Sequence, residues 1–283
     1  MNTTFDRDDD TLTLDDVLAG DVQLASPSPI YYALNEIIHD PSKDLNDACP
    51  IIESDPALAL RLLKIVNSSL YGFSTHIVSI KHAIALIGLK ELQILILGTQ
   101  VIERFGQMPV GTLVMRDFWS SSLRCALIAK LIGEGHYPPA IADVAFICGL
   151  LHEVGLLVLY RRLPELARRA ALQSSEQLPL YKSEQRLLGF DHYQLGAELA
   201  RRWKLHEAIV VSLAAQEYPE EAGVFRPLVQ LVDFAAQLAR WQGDPEHTPW
   251  PNHSAIPVPK PLLEGVLQQV ENDFEAICGL FLH

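Results

Sequence analysis

Close cysteine pairs are missing from this sequence. Cys49, Cys125, Cys148 and Cys278 stand far apart, with no Cys-x-x-Cys pair. That excludes a zinc ribbon and a disulfide framework, and it predicts reduced thiols in a cytoplasmic protein. Positive charge is scarce as well. Lysine and arginine number 22 against 35 aspartates and glutamates, a formal charge of −13. Such a surface opposes phosphate backbones, so nucleic acid is not an expected partner. No segment alternates apolar and polar residues at the strand period. No uninterrupted apolar run reaches the roughly 20 residues of a membrane span, and the nearest approach carries His152 and Glu153 at its middle. The leading residues Met1 to Asp16 are acidic and polar, opposite in charge to a secretion leader.

What is abundant is apolar residues at helical spacing, 49% of the chain. Residues 1–23 read as an acidic tail or a lightly held first turn. Ser28-Pro29 and Asp55-Pro56 are helix starts, a capping side chain followed by proline at the first helical position. Behind the second, Leu58, Leu62, Ile65 and Val66 make one stripe. That helix runs into Asn67-Ser68, whose short polar side chains cap and turn it. Ser79 caps a helix to Ile87, and Leu89 to Phe105 follows. Gly106 to Gly111 is the best internal boundary. The chain therefore divides into helical halves at 24–110 and 111–241, a proline-rich loop at 242–261 and a docking helix at 262–283. The expected fold is all-α, two packed helical bundles, with Trp119 and Trp203 as core residues or inter-helix anchors.

Val144 to Tyr160 is apolar on every side and reads as one buried helix. Only the adjacent His152 and Glu153 can lose or gain a proton at ordinary pH within it. Gly149 and Gly155 each lie three positions from His152. Glycine inside a helix costs about 1 kcal/mol against alanine, so the pair predicts close approach of another backbone or of a ligand. His152 and Glu153 need partners, because an unpaired buried charge is expensive.

Asp55-Pro56-Ala57-Leu58-Ala59-Leu60-Arg61-Leu62-Leu63-Lys64-Ile65-Val66-Asn67-Ser68 and Ala83-Ile84-Ala85-Leu86-Ile87-Gly88 resemble the HDOD family, a branch of the HD phosphohydrolase superfamily found in bacterial signalling proteins. Phe118-Trp119, Gly149-Leu150-Leu151-His152, Asp191-His192, Gly196 and Trp203 extend the likeness in order, over residues 24 to 240. The resemblance implies two helical halves, the second HD-like.

Catalytic HD enzymes hold divalent metal with a histidine, a His-Asp doublet and a distant aspartate, often with further histidines. By the resemblance, the first histidine falls at Ser121, the doublet at His152-Glu153, a further histidine at His192, a later His-His-like pair at Gln216-Glu217, and the last aspartate at Asp233. Lost donors weaken metal binding steeply, so the site reads as degenerate, with no catalytic residue, no bound metal and no cofactor. His152 is then a hydrogen-bonded structural histidine, and His192 belongs to the cap region beside Asp191. A competing reading keeps a phosphohydrolase metal, with Glu153 for aspartate and ligands recruited from His136, His206 or Glu217. A third keeps the former cavity as a small-ligand site, with room left by the glycines.

The basic residues Arg161, Arg162, Arg168, Arg169, Arg201, Arg202 and Lys204 stand out in an acidic chain. They read as solvated helix faces with local carboxylate partners, or as a patch for a phosphorylated nucleotide or an acidic partner. The resemblance implies a non-enzymatic signalling or scaffold protein. Its expected partners are other regulators of two-component or cyclic-di-GMP circuits, reached in trans.

Overall fold

Each helix-start signal acts as a hydrogen-bonding cap. Ser28 Oγ accepts from the Tyr31 N–H, the Asp55 carboxylate from Ala57 and Leu58, Ser79 Oγ from His82, and Asp191 from Gln194. Each satisfies backbone donors that the first helical turn leaves unpaired. The computed structural model describes residues 12–19, 27–106, 114–241, 250–251, 255–256 and 258–282. Among these residues every regular element is a helix.

The first half contains α1 (Leu14–Leu18), α2 (Pro29–His39), α3 (Leu45–Glu53), α4 (Pro56–Val66), α5 (Ile80–Ile87) and α6 (Leu89–Gly106). The second contains α7 (Met115–His136), α8 (Pro139–Leu151), α9 (Val154–Arg162), α10 (Pro164–Gln173), α11 (Leu180–Leu188), α12 (His192–Arg202) and α13 (Glu207–Ala214). A 3₁₀ segment (Pro219–Phe225), α14 (Arg226–Arg240) and α15 (Lys260–Phe281) complete it. Helix α7 is the axis, with α8, α14 and α15 packed around it. Helix α15 also reaches α4, so it touches both halves. Apolar side chains of both halves form one continuous core, in which Trp119 and Trp203 are fully buried. The boundary at 106–111 lies largely outside the described residues, as does most of the loop at 242–261.

Between α5 and α6 the chain bends by 113° at Gly88, where φ is +83° and ψ 158°. An L side chain rarely adopts that backbone conformation. Asn67 fixes the turn that joins α4 to α5. Its Nδ2 donates to the carbonyls of Leu63 and Ile77 at 2.8 Å each, and its Oδ1 accepts from the Ile77 N–H at 2.8 Å. Nearby, Lys130 of α7 donates to Glu91 of α6 and to Glu134, both at 2.6 Å, while the Tyr71 hydroxyl also donates to Glu91 at 2.6 Å. This buried charge cluster ties the halves together.

One expectation is revised. The segment 144–160 is not one helix. Its apolar residues are buried, but the chain breaks at the doublet, with Glu153 at φ −112° and ψ 17°. The stretch Pro139–Arg162 is long and apolar enough by composition to cross a membrane, yet 67% of its most apolar window is buried inside the protein. Of the two alternatives for the leading residues, 12–19 take the first turn. Thr13 and Asp16 form a capping box for α1, and Val17 and Leu18 are buried.

Candidate functional site

The break after Leu151 is what aims the doublet. His152 ends α8 and Glu153 begins α9, so the two side chains leave the backbone at a turn and not along a continuous helix face. Helix α9 then crosses α12 almost backbone to backbone. A Cβ placed on Gly155 would lie 1.9 Å from the His192 carbonyl oxygen and 2.6 Å from the Gly196 nitrogen. Gly149 meets α7 similarly, 2.8 Å from the Ala126 Cα. The glycines therefore admit neighbouring backbone, and the room expected there for a small ligand is filled by protein. This crossing brings His192 beside the doublet.

His152 is buried and its Nδ1 lies 2.7 Å from the Gly149 carbonyl oxygen. A carbonyl can only accept, so Nδ1 carries the proton and Nε2 presents a bare lone pair. That Nε2 is buried without a hydrogen-bond partner among the described residues. Burial pulls the His152 pKa below the usual histidine value, with Arg240 and His192 adding to the shift and Glu153 opposing it. His192 goes the other way. Burial alone would lower its pKa, but the Glu184 carboxylate outweighs it, meeting the ring Nδ1 at 2.5 Å and the backbone N–H at 3.0 Å. One buried imidazole releases its proton at lower pH than an ordinary histidine, while its neighbour holds its proton to higher pH.

Glu153 lies 3.9 Å from His152 Nε2, too far for a hydrogen bond. Its partner is Arg240, the last residue of α14, which donates to it at 3.2 Å. Burial would raise the Glu153 pKa; His152, Arg240 and His192 together bring it below the ordinary carboxylate range. Asp233, two turns before Arg240, accepts from Gln237 at 2.9 Å, and burial raises its pKa despite that bond and Arg240. Thus His152, Glu153 and His192 fall within electrostatic reach of one another, and Asp233 within reach of His152.

The other positions lie further out. Ser121 is half-buried on α7, and it is Cys125, one turn later, that comes within reach of Glu153, Asp233 and Arg240. Gln216 donates to the Ser212 carbonyl at 2.9 Å. Glu217 accepts from the Tyr193 hydroxyl at 3.3 Å, and the Tyr193 ring lies 4.0 Å from that of His192. His206 caps α13, accepting from the Ala208 N–H. His136 sits exposed in the last turn of α7, roughly 16 Å along the axis from Cys125 at 1.5 Å per residue.

A divalent metal is the group that HD chemistry implies, and the donors do not fit one. Among the described residues, no three or more His, Cys, Asp or Glu side chains are placed to hold a single ion. The cation that reaches Glu153 is a guanidinium. Arg240 and Glu184 are the two residues here that sequence reasoning missed. Arg240 was legible in principle, since Asp233, Gln237 and Arg240 share one face at i, i+4 and i+7. Glu184 gave no local signal.

Several of the basic residues have partners within the chain. Arg162 donates to the carbonyls of Val17 and Ala19, at 2.7 and 2.9 Å, and Arg202 pairs with Asp15 and Glu198. Arg168 pairs with Glu165, and Arg201 with Glu198. Arg169 and Lys204 are exposed, and Lys204 has the positive φ of 53° that turns the chain out of α12.

Comparison with known proteins agrees with this architecture. Over 211 residues the chain is 28% identical to an uncharacterized protein of Treponema pallidum (strain Nichols), covering 74% of this chain and 40% of that one. It therefore spans about 40% of the length of this curated relative. A provisionally named phosphohydrolase from Shewanella amazonensis SB2B superposes with a TM-score of 0.73 at 21% identity, covering 93% of this chain and 99% of that one. A provisionally named signal transduction protein from Marinobacter aquaeolei VT8 gives 0.68 at 21%, covering 92% and 60%. At such identity these two speak for the fold alone. An HDOD domain protein from Geobacter sulfurreducens gives 0.63 at 25%, covering 90% and 87%. With the HDOD domain profile matched over residues 24–219, the chain belongs to the HDOD domain family.

Proposed function

We propose that this HDOD protein is a non-enzymatic signalling module that works by docking other proteins, its HD-like half serving as scaffold. The observation that carries this reading is the Arg240–Glu153 pair. A catalytic doublet leaves its carboxylate available to a metal, which activates water for attack on phosphorus. Here that carboxylate already has a cation from its own chain, Ser121 offers no imidazole, and Asp233 bonds Gln237. The metal positions implied by the family likeness, Ser121, His152, Glu153, His192, Gln216, Glu217 and Asp233, are on this reading structural. The expected partners are signalling proteins, and the regulated process is set by them.

One observation favours a metal-dependent phosphohydrolase instead. His152 holds its Nδ1–H on a carbonyl and His192 its Nδ1 on a carboxylate, the arrangement that metal-binding histidines commonly use to orient Nε2. Metal analysis of purified protein, with phosphodiester and phosphomonoester assays, decides between the two. The docking reading expects no stoichiometric metal and no hydrolysis. It also expects Ser121→His with Glu153→Asp and Arg240→Ala to gain metal. Hydrolysis by wild type that His152→Ala abolishes would establish the enzyme.

A further inference from the structure

The N-terminal segment sits on the outer surface of the two helices that carry the histidine site. Helix α1 lies against α9 and α12. Two apolar side chains, Val17 and Leu18, are buried there. The Arg162 side chain grips the end of the segment, Nε donating to the Val17 carbonyl at 2.7 Å and a terminal nitrogen to the Ala19 carbonyl at 2.9 Å. These carbonyls are among the acceptors that a helix C-terminus leaves without intrahelical partners. Arg202 meets Asp15 from the other side. The contact thus has defined chemistry: an acidic first turn, two adjacent apolar residues and a pair of free carbonyls, received by two arginines and an apolar shelf.

Its capping box apart, α1 has little of its own to keep it helical. Five residues lie far below the length at which an isolated helix persists in water. Its Asp15 is 82% exposed, and exposed ion pairs contribute little. Its order comes from the surface beneath it. That surface is specific, and its present occupant is a short segment held by two buried side chains and two arginines.

We propose that the α9–α12 surface around Arg162 and Arg202 is a docking site for a short acidic amphipathic helix of a partner protein, and that residues 12–19 occupy it in cis until displaced. The site lies on the outer face of these helices, and it does not depend on whether the histidine site is catalytic. A tethered segment competes at an effective concentration of order 1 mM. If the free segment binds with a Kd of order 100 µM, self-occupancy weakens any competitor about tenfold.

The test uses the full chain. Val17→Asp with Leu18→Asp unseats α1 without touching α9 or α12, and the probe is a fluorescent peptide of residues 12–19. The variant should bind this peptide about tenfold more tightly than wild type, and adding Arg162→Ala to the variant should abolish binding. Equal binding by variant and wild type overturns the proposal, as does no binding by a folded variant at millimolar peptide. Hydrogen exchange on wild type tests release independently of the variant's folding. The amides of Leu14 to Leu18 should exchange at least tenfold faster than those of α9 and α12. Exchange only with global unfolding overturns a displaceable segment, and loss of the contact on dilution of a dimer overturns occupancy in cis.

Discussion

The crossing of α9 and α12 allows a quantitative test at Gly155. In Gly155→Ala the added Cβ would meet the His192 carbonyl oxygen at 1.9 Å, short of ordinary contact by about 1.5 Å. The next nearest atoms, the Gly196 nitrogen at 2.6 Å and the His192 carbonyl carbon at 2.9 Å, are also backbone. No rotamer change can relieve the clash; the helices must separate. Overpacking of a tight interior costs about 1–3 kcal/mol, and an immovable neighbour places this case at about 3. Alanine returns about 1 kcal/mol of helix propensity, leaving a net loss of about 2. For a chain of this size that is a fall in Tm of about 4–8 °C. Gly265→Ala is the matched control, exposed on α15 with nothing within 4 Å of its Cβ; it should raise stability by up to about 1 kcal/mol. Urea and thermal unfolding measure both. A Gly155→Ala protein as stable as wild type would refute the close crossing, and with it the placement of His192 beside the doublet.

Other perturbations probe the buried charges. His192 has its pKa raised by Glu184, so this group contributes stability that is complete below about pH 6.5 and is lost as pH rises through the folded value. In Glu184→Gln that term disappears, and the gap in urea midpoint between wild type and variant should narrow as pH rises above 6.5; a constant gap would contradict the pairing. Arg240→Ala removes a charge that helps hold the Glu153 pKa down, so carbon-detected NMR titration should find that carboxyl titrating higher. Because the Arg240 side chain is 52% exposed, the stability loss should stay at or below about 1 kcal/mol. Lys130→Met leaves Glu91 with a buried charge and should cost about 3 kcal/mol, much of it recovered by adding Glu91→Gln; equal stability of the two variants would argue against the ion pair.

The helices were readable because their determinants are local. A cap followed by proline at Ser28-Pro29 and Asp55-Pro56, stripes at i, i+3 and i+4, and glycine stops are properties of neighbouring residues. The break at His152-Glu153 was not, since the apolar run continues across it and only the packing of α8 and α9 against different neighbours reveals the turn. Gly149 and Gly155 signalled a close approach correctly, but a glycine cannot say whether backbone or ligand will approach. Glu184 is invisible for a related reason. It lies on the polar-looking helix α11, and its burial follows from where α12 starts, eight residues on. The docking of α1 depends on Arg162, more than a hundred residues away in sequence. Contacts of that range leave no periodic trace.

The polar residues of the second half can be understood by asking which charge answers which. Glu153 has Arg240, Glu184 has His192, and across the two halves Glu91 has Lys130. A buried carboxylate without a cation would tend to protonate or destabilise the fold. In a metal-dependent hydrolase the ion itself supplies much of that positive charge, and its ligands are left facing one another without it. Here the described residues answer part of that charge internally: Arg240 of α14 pairs with the doublet's carboxylate, and Glu184 of α11 helps the second histidine hold its proton. Among the described residues of this cluster, His152 Nε2 and Glu184 Oε1 are buried without a hydrogen-bond partner. A single bare imidazole nitrogen can accept one hydrogen bond but cannot hold a divalent ion, which needs several donors at once. On the docking reading this self-neutralised crossing of helices has one role, to hold α9 and α12 at a fixed spacing.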